Sequence, residues 1–107
     1  MTEFLALSTS ADGRIRQLAV KNLCTCHTRS DDDEVWSHLF RLLNDPDGQV
    51  RRDAVHAVTD STPPARVEAV VDALGSRYQD PDRHLRRRIR KILAIYRRTG
   101  ALTDAPR

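Results

Sequence analysis

Residues 45–58, DPDGQVRRDAVHAV, carry the pattern from which the fold can be inferred. The same pattern occurs 35 residues earlier as SADGRIRQLAVKNL, residues 10–23, and 35 residues later as DPDRHLRRRIRKIL, residues 80–93. The copies align without a gap at five positions, which hold Asp, an apolar residue, Arg, a small or apolar residue and a second apolar residue. The matching residues are Asp12, Asp47 and Asp82; Ile15, Val50 and Leu85; Arg16, Arg51 and Arg86; Ala19, Ala54 and Ile89; and Leu23, Val58 and Leu93. A period of this length is typical of proteins built from stacked structural repeats.

Each copy predicts one α-helix, because its apolar residues recur at positions i, i+4 and i+8 on one helical face. A second apolar stripe precedes the later two copies and predicts another helix in each of those repeats. The stripes contain Val35, Trp36, Leu39 and Leu43 in one repeat and Val70, Val71, Leu74 and Tyr78 in the other. In the first repeat only Met1 and Phe4 match, so we expect a shortened first helix over about residues 2–9.

These patterns predict an all-α solenoid of three helix pairs, because a lone pair cannot bury its apolar stripe and stacked pairs can. The repeats cover about residues 1–28, 29–62 and 63–99 and form one domain over residues 1–100. Gly100 ends the last helical pattern, so we expect residues 101–107 to be a flexible C-terminal tail.

The string D-P-D-x-x-V/L-R-x-x-A/I resembles the second helix of a HEAT repeat, in the short bacterial form also described as PBS-lyase-like. The tetratricopeptide and ankyrin patterns are not present. The resemblance covers about residues 2–98 and implies a right-handed superhelix that acts as a binding module rather than an enzyme. It also implies a structural ladder of Arg and Asp side chains between repeats. The matching positions are Arg16, Arg51 and Arg86 for arginine and Asp45 and Asp80 for aspartate, with Ser10 in the aspartate place of the first repeat.

Composition and motifs argue against an enzyme, a membrane protein and a secreted protein. The chain has 107 residues, of which 39% are hydrophobic and 31% charged, an ordinary range for a soluble domain. No apolar run approaches the roughly 20 residues of a membrane helix, and residues 1–10 lack the basic start of a secretory signal. No catalytic triad, metalloprotease motif or phosphate-binding loop occurs. We therefore expect no catalytic residue, no cofactor and a cytoplasmic location.

The cluster Cys24, Cys26 and His27 is the sharpest local concentration of metal-binding side chains. Thiolate and imidazole groups could hold zinc or copper. The cysteine spacing is shorter than the usual zinc-site spacing, and no fourth ligand is indicated. A structural or incidental role is therefore the favoured interpretation, and a metal site or enzyme subunit is a distant alternative.

Basic charge is concentrated at the C-terminal end. Residues 71–107 contain ten basic and four acidic residues, while the net charge of the whole chain is +3. Because the second helices of HEAT-like solenoids line the concave surface, their exposed cations predict a basic binding surface there. Its candidate residues are Lys21, Arg52, His56, Arg87, Arg90, Lys91 and Arg98.

Three interpretations of this surface stay open at this stage. It could bind an acidic protein partner, it could contact nucleic acid independently of sequence, or it could be a solvated cap on the last repeat. An acidic protein is the favoured partner and DNA is the alternative. Dimerisation through the exposed end repeat is also plausible, because the first helix is short.

Overall fold

The structure, a computed structural model, describes residues 9–23, 33–60 and 62–103, with backbone alone at 21–23. Within these ranges the chain is helical and contains no strand, which confirms the all-α prediction. The α-helices are α1 (Gly13–Leu23), α2 (Asp33–Leu42), α3 (Gly48–Thr59), α4 (Val67–Ser76) and α5 (Arg83–Thr99), and a 3₁₀ turn covers Pro64–Arg66. No helix in the described ranges is long and apolar enough to cross a bilayer. The predicted first helix lies outside the described residues except for Thr9.

Aspartates in the turns begin the second helix of each pair. The Oδ1 atom of Asp47 accepts a hydrogen bond from the backbone N–H of Gln49 at 2.8 Å, and Asp82 accepts one from Leu85 at 3.0 Å. Such bonds satisfy backbone donors that have no partner within the helix. Asp12 makes the corresponding bond at the start of α1. The repeated aspartates therefore set where α1, α3 and α5 begin.

The core lies between the helices and consists mainly of aliphatic side chains around one tryptophan. Its largest members are Trp36, Leu39, Leu42, Leu43, Leu74, Leu85 and Ile89. Helix α3 is central, because it contacts α1, α2 and α4, while α5 packs against α4. Leu102 also packs against this core, so the chain keeps contact with the fold beyond Gly100, where the sequence predicts a flexible tail. Helices α1, α3 and α5 lie at the positions predicted for the second helices of the three repeats.

Candidate functional site

Two arginine–aspartate pairs join the second helix of one repeat to the turn of the next. Arg16 donates to the carboxylate of Asp45 from Nε at 2.7 Å and from Nη2 at 3.0 Å. Arg51 donates to Asp80 in the same two-point manner, at 3.0 and 3.2 Å. The Arg51 side chain is 8% exposed and that of Asp80 is fully buried. We call these two pairs the ladder.

In Arg16, Arg51 and Arg86, the third guanidinium nitrogen binds the turn that precedes the arginine's own helix. Nη1 donates to the carbonyl oxygen six residues earlier, at 2.8 Å in Arg16 and Arg51 and at 2.9 Å in Arg86. Arg86 thus shares the anchoring of the ladder arginines, but within the described residues no carboxylate pairs with it. The ladder arginines act between repeats, which leaves them unavailable to a ligand.

Hydrogen bonds within the ladder stabilise the charged forms of Asp80 and Arg16. Burial alone would raise the pKa of Asp80, but hydrogen bonds from Arg77 and Arg51 outweigh it, so the pKa of Asp80 is lowered. Arg77 reaches Asp80 at 2.8 Å from the same turn. The hydrogen bond to Asp45 raises the pKa of Arg16 above its ordinary value. Asp80 is therefore a buried carboxylate held by two arginines.

Arg52, a predicted binding residue, is already engaged within the fold. Its Nη2 donates to Asp82 Oδ2 at 2.8 Å. This bond is the main reason that the pKa of Asp82 falls to about 2. Arg52 therefore pairs with the turn of the next repeat, beside the Arg51–Asp80 pair, and offers little charge to a partner.

Arg90, another predicted binding residue, lies over Tyr78 at the C-terminal end of the stack. Its guanidinium lies 4.4 Å from the centroid of the Tyr78 ring. Its Nε donates to the Tyr78 carbonyl at 2.9 Å, and its Nη2 donates to Gln79 Oε1 at 2.8 Å. The equivalent residues of the earlier copies, Val20 and Val55, are buried. Arg90 thus replaces an apolar stacking residue with a charged one.

The remaining predicted binding residues share an exposed position on the second helices. His56, Arg87, Lys91 and Arg98 are all exposed to solvent. Arg87, Lys91 and Arg98 lie on α5 within about 40° of one another around the helix axis, opposite the buried Leu85 and Ile89. The side chain of Lys21 lies outside the described atoms. The exposed cations of this surface are therefore concentrated on α5.

A shallow apolar groove lies on the C-terminal end of the stack. It encloses about 450 Å³ and is lined by Val71, Asp72, Gly75, Tyr78, Leu93, Tyr96 and Arg97. At the opposite end, Ile15 and Leu18 of α1 are exposed, at 37% and 53%. The groove is open and mostly apolar, and no arrangement of acid, base and nucleophile converges on it among the described residues.

The metal-binding candidates Cys24, Cys26 and His27 lie outside the described residues. Across the described part of the chain, no group of three or more His, Cys, Asp or Glu side chains could hold a metal ion. The candidate site that remains is the exposed basic side of α5.

Comparison with known proteins gives one match. The family model for HEAT repeats matches residues 2–94. Neither the curated proteins nor the solved structures contain a match to this chain.

Proposed function

Because this chain belongs to the HEAT-repeat family, whose members commonly serve as protein-interaction scaffolds, we propose that it is a non-catalytic module that binds an acidic partner protein through the basic side of α5. The observation that carries the proposal is the exposed row of Arg87, Lys91 and Arg98, which lies opposite the core. The helix Arg83–Thr99 contains no acidic residue that would neutralise this row.

The location of the exposed cations supports a local protein contact. Arg16, Arg51, Arg52 and Arg90 are held by partners within the fold. Among the described candidate residues, the exposed arginines and lysine lie on α5 and form a short patch at one end. Charged residues at the rim of an interface steer encounter and set specificity for an oppositely charged surface. A short patch suits a compact acidic surface on a protein.

The experiment compares single charge reversals on α5 with one on a first helix. Lys91→Glu and Arg98→Glu remove the proposed contacts, and Arg41→Glu, at an exposed position on α2, makes the same change in net charge as the matched control. Each variant serves as bait in a native extract, and retained proteins are quantified by mass spectrometry. We expect acidic proteins that bind the unmodified chain and the Arg41→Glu bait to be depleted from both α5 baits. Equal retention on all baits would refute the proposal.

Nucleic acid is the second candidate, because eight of the seventeen residues of α5 are Arg or Lys. Phosphate contacts by such side chains give an affinity that falls steeply with salt. Fluorescence anisotropy with labelled duplex DNA at two salt concentrations tests this directly. Binding at low salt that is lost at higher salt and in Lys91→Glu, but kept in Arg41→Glu, would favour DNA over an acidic protein. An absence of binding at low salt would exclude it.

A further inference from the structure

The adjacent arginines of α3, Arg51 and Arg52, bind two aspartates of the turn that begins α5. Arg51 binds the Asp80 carboxylate through two nitrogens, and Arg52 binds Asp82 at 2.8 Å. The two carboxylates stand two residues apart in an Asp-Pro-Asp turn, and Asp82 also caps α5. An arginine pair is thus matched in spacing to an Asp-x-Asp turn at the start of a helix.

The same arginine pair recurs on α5, and within the described residues no Asp-x-Asp turn binds it. Arg86 and Arg87 occupy the positions of Arg51 and Arg52 after 35 residues. Arg86 Nη1 is anchored to the Asp80 carbonyl at 2.9 Å, as Arg51 is anchored to that of Asp45 at 2.8 Å. Within the described residues this is the one side-chain hydrogen bond of Arg86, and Arg87 is exposed and makes none. The Nε and Nη2 donors of Arg86 are therefore oriented by the fold and available.

We propose that Arg86 and Arg87 form a docking site for an acidic turn of a partner protein that carries two aspartates two residues apart. The proposal rests on the function proposed above and specifies the chemistry of the partner. Arginine recognises a carboxylate through two parallel donors, which gives directional selectivity as well as charge attraction. The Arg51–Asp80 and Arg52–Asp82 pairs show that this fold already accommodates that geometry.

Two features decide among possible occupants. A second copy of this chain is a poor one, because its three Asp-x-Asp pairs are each partly occupied: Asp33, Asp45 and Asp80 are already bound by Arg66, Arg16 and Arg51. A helix pair packed on this end would have to displace the contact between Arg90 and Tyr78, which lies one helical turn from Arg86. A protruding acidic turn can reach Arg86 and Arg87 without displacing that contact.

The test uses a short peptide in which Asp-Pro-Asp begins an alanine-based helix, titrated into the full chain. Binding is followed by the arginine Nε–H signals in proton–nitrogen NMR spectra. We expect the signals of Arg86 and Arg87 to shift most and those of Arg97 and Arg98 little. A control peptide with Asn-Pro-Asn should bind at least about tenfold more weakly, since it lacks both charges. An Asp-Asp-Pro peptide of equal charge should also bind more weakly, because its spacing is wrong.

Matched variants keep the test separate from that of the proposed function. Arg86→Met should abolish the preference for Asp-Pro-Asp over Asp-Asp-Pro, while Lys91→Glu should keep that preference even if overall affinity falls. Asp104→Asn removes the one acidic side chain of residues 101–107, which could itself compete for Arg86 and Arg87. This variant should bind the Asp-Pro-Asp peptide with the affinity of the unmodified chain. Equal shifts at all exposed arginines, equal binding of the two acidic peptides, or tighter binding by Asp104→Asn would each overturn the proposal. If any of these results occurs while the Lys91→Glu bait still loses the acidic proteins, the proposed function is supported but the docking site at Arg86 and Arg87 is refuted.

Discussion

Replacing Arg51 by methionine tests the ladder most sharply. The substitution keeps most of the apolar stem and removes the guanidinium, which makes two hydrogen bonds to Asp80 and one each to the carbonyls of Asp45 and Pro46. Breaking a buried ion pair by removing one partner costs roughly 3–5 kcal/mol, because the other charge is left buried. Asp80 keeps Arg77 and the backbone N–H of Asp82 as donors. We therefore expect a loss of about 3 kcal/mol in the free energy of unfolding, at the low end of that range.

The assay is urea unfolding followed by circular dichroism, with Arg86→Met as the matched control. Arg86 occupies the same repeat position, but within the described residues its side chain makes one hydrogen bond, to the carbonyl of Asp80, so its replacement should cost about 1 kcal/mol or less. Arg51→Lys keeps the charge without the two-point geometry and should fall between the two. It also keeps the comparison measurable if Arg51→Met unfolds the chain. Equal losses for Arg51→Met and Arg86→Met would refute the assignment of Arg51 to a structural role.

Three further outcomes follow from the same contacts. Asp82 has a pKa of about 2 against an ordinary value of 3.8, mainly because Arg52 binds its charged form. This ion pair stabilises the fold at pH values above about 4, and its contribution is lost as the pH falls from about 4 to about 2. Arg52→Met should therefore lower the slope of unfolding free energy against pH in that window, and an unchanged slope would contradict the pairing. Arg90→Val should uncover the Tyr78 ring and enlarge the apolar surface beside the groove, so it should self-associate more than the unmodified chain in analytical ultracentrifugation, and an unchanged association would contradict this role of Arg90. Trp36 is buried beside Phe40, so its fluorescence should be blue-shifted and poorly quenched by acrylamide, and a solvent-like spectrum would contradict the packing of the core.

The fold class was predictable because it depends on spacing. A period of 35 residues with apolar positions on one helical face indicates paired helices, and the all-helical structure and the family match confirm that part. The capping role of the turn aspartates was also predictable, since Asp before an apolar helical pattern is a common helix-capping residue. Handedness and the exact period stay predictions.

Which cations are bonded within the fold and which are exposed to solvent was not predictable from spacing. Spacing places Arg52, Arg87 and Arg90 alike on the second helices, but the groups that bind each cation depend on what the neighbouring turns bring near it. Arg52 meets Asp82, and Arg90 meets the Tyr78 ring. One signal for the first contact was present, because the Arg-Arg and Asp-x-Asp pairs recur together. The Arg90–Tyr78 contact replaces an apolar stacking contact of the earlier repeats, so comparing repeats could not reveal it.

The central claim is that the exposed cations of α5 bind an acidic protein while the ladder arginines hold the repeats together. The most direct measurement is the affinity of a partner captured by the chain for Lys91→Glu, Arg98→Glu and Arg41→Glu, at two salt concentrations and after equal unfolding free energies have been verified. We predict affinity at least about tenfold weaker for both α5 variants, unchanged affinity for Arg41→Glu, and weaker binding at higher salt. Equal affinity for all three variants, or binding that salt does not weaken, would contradict the claim.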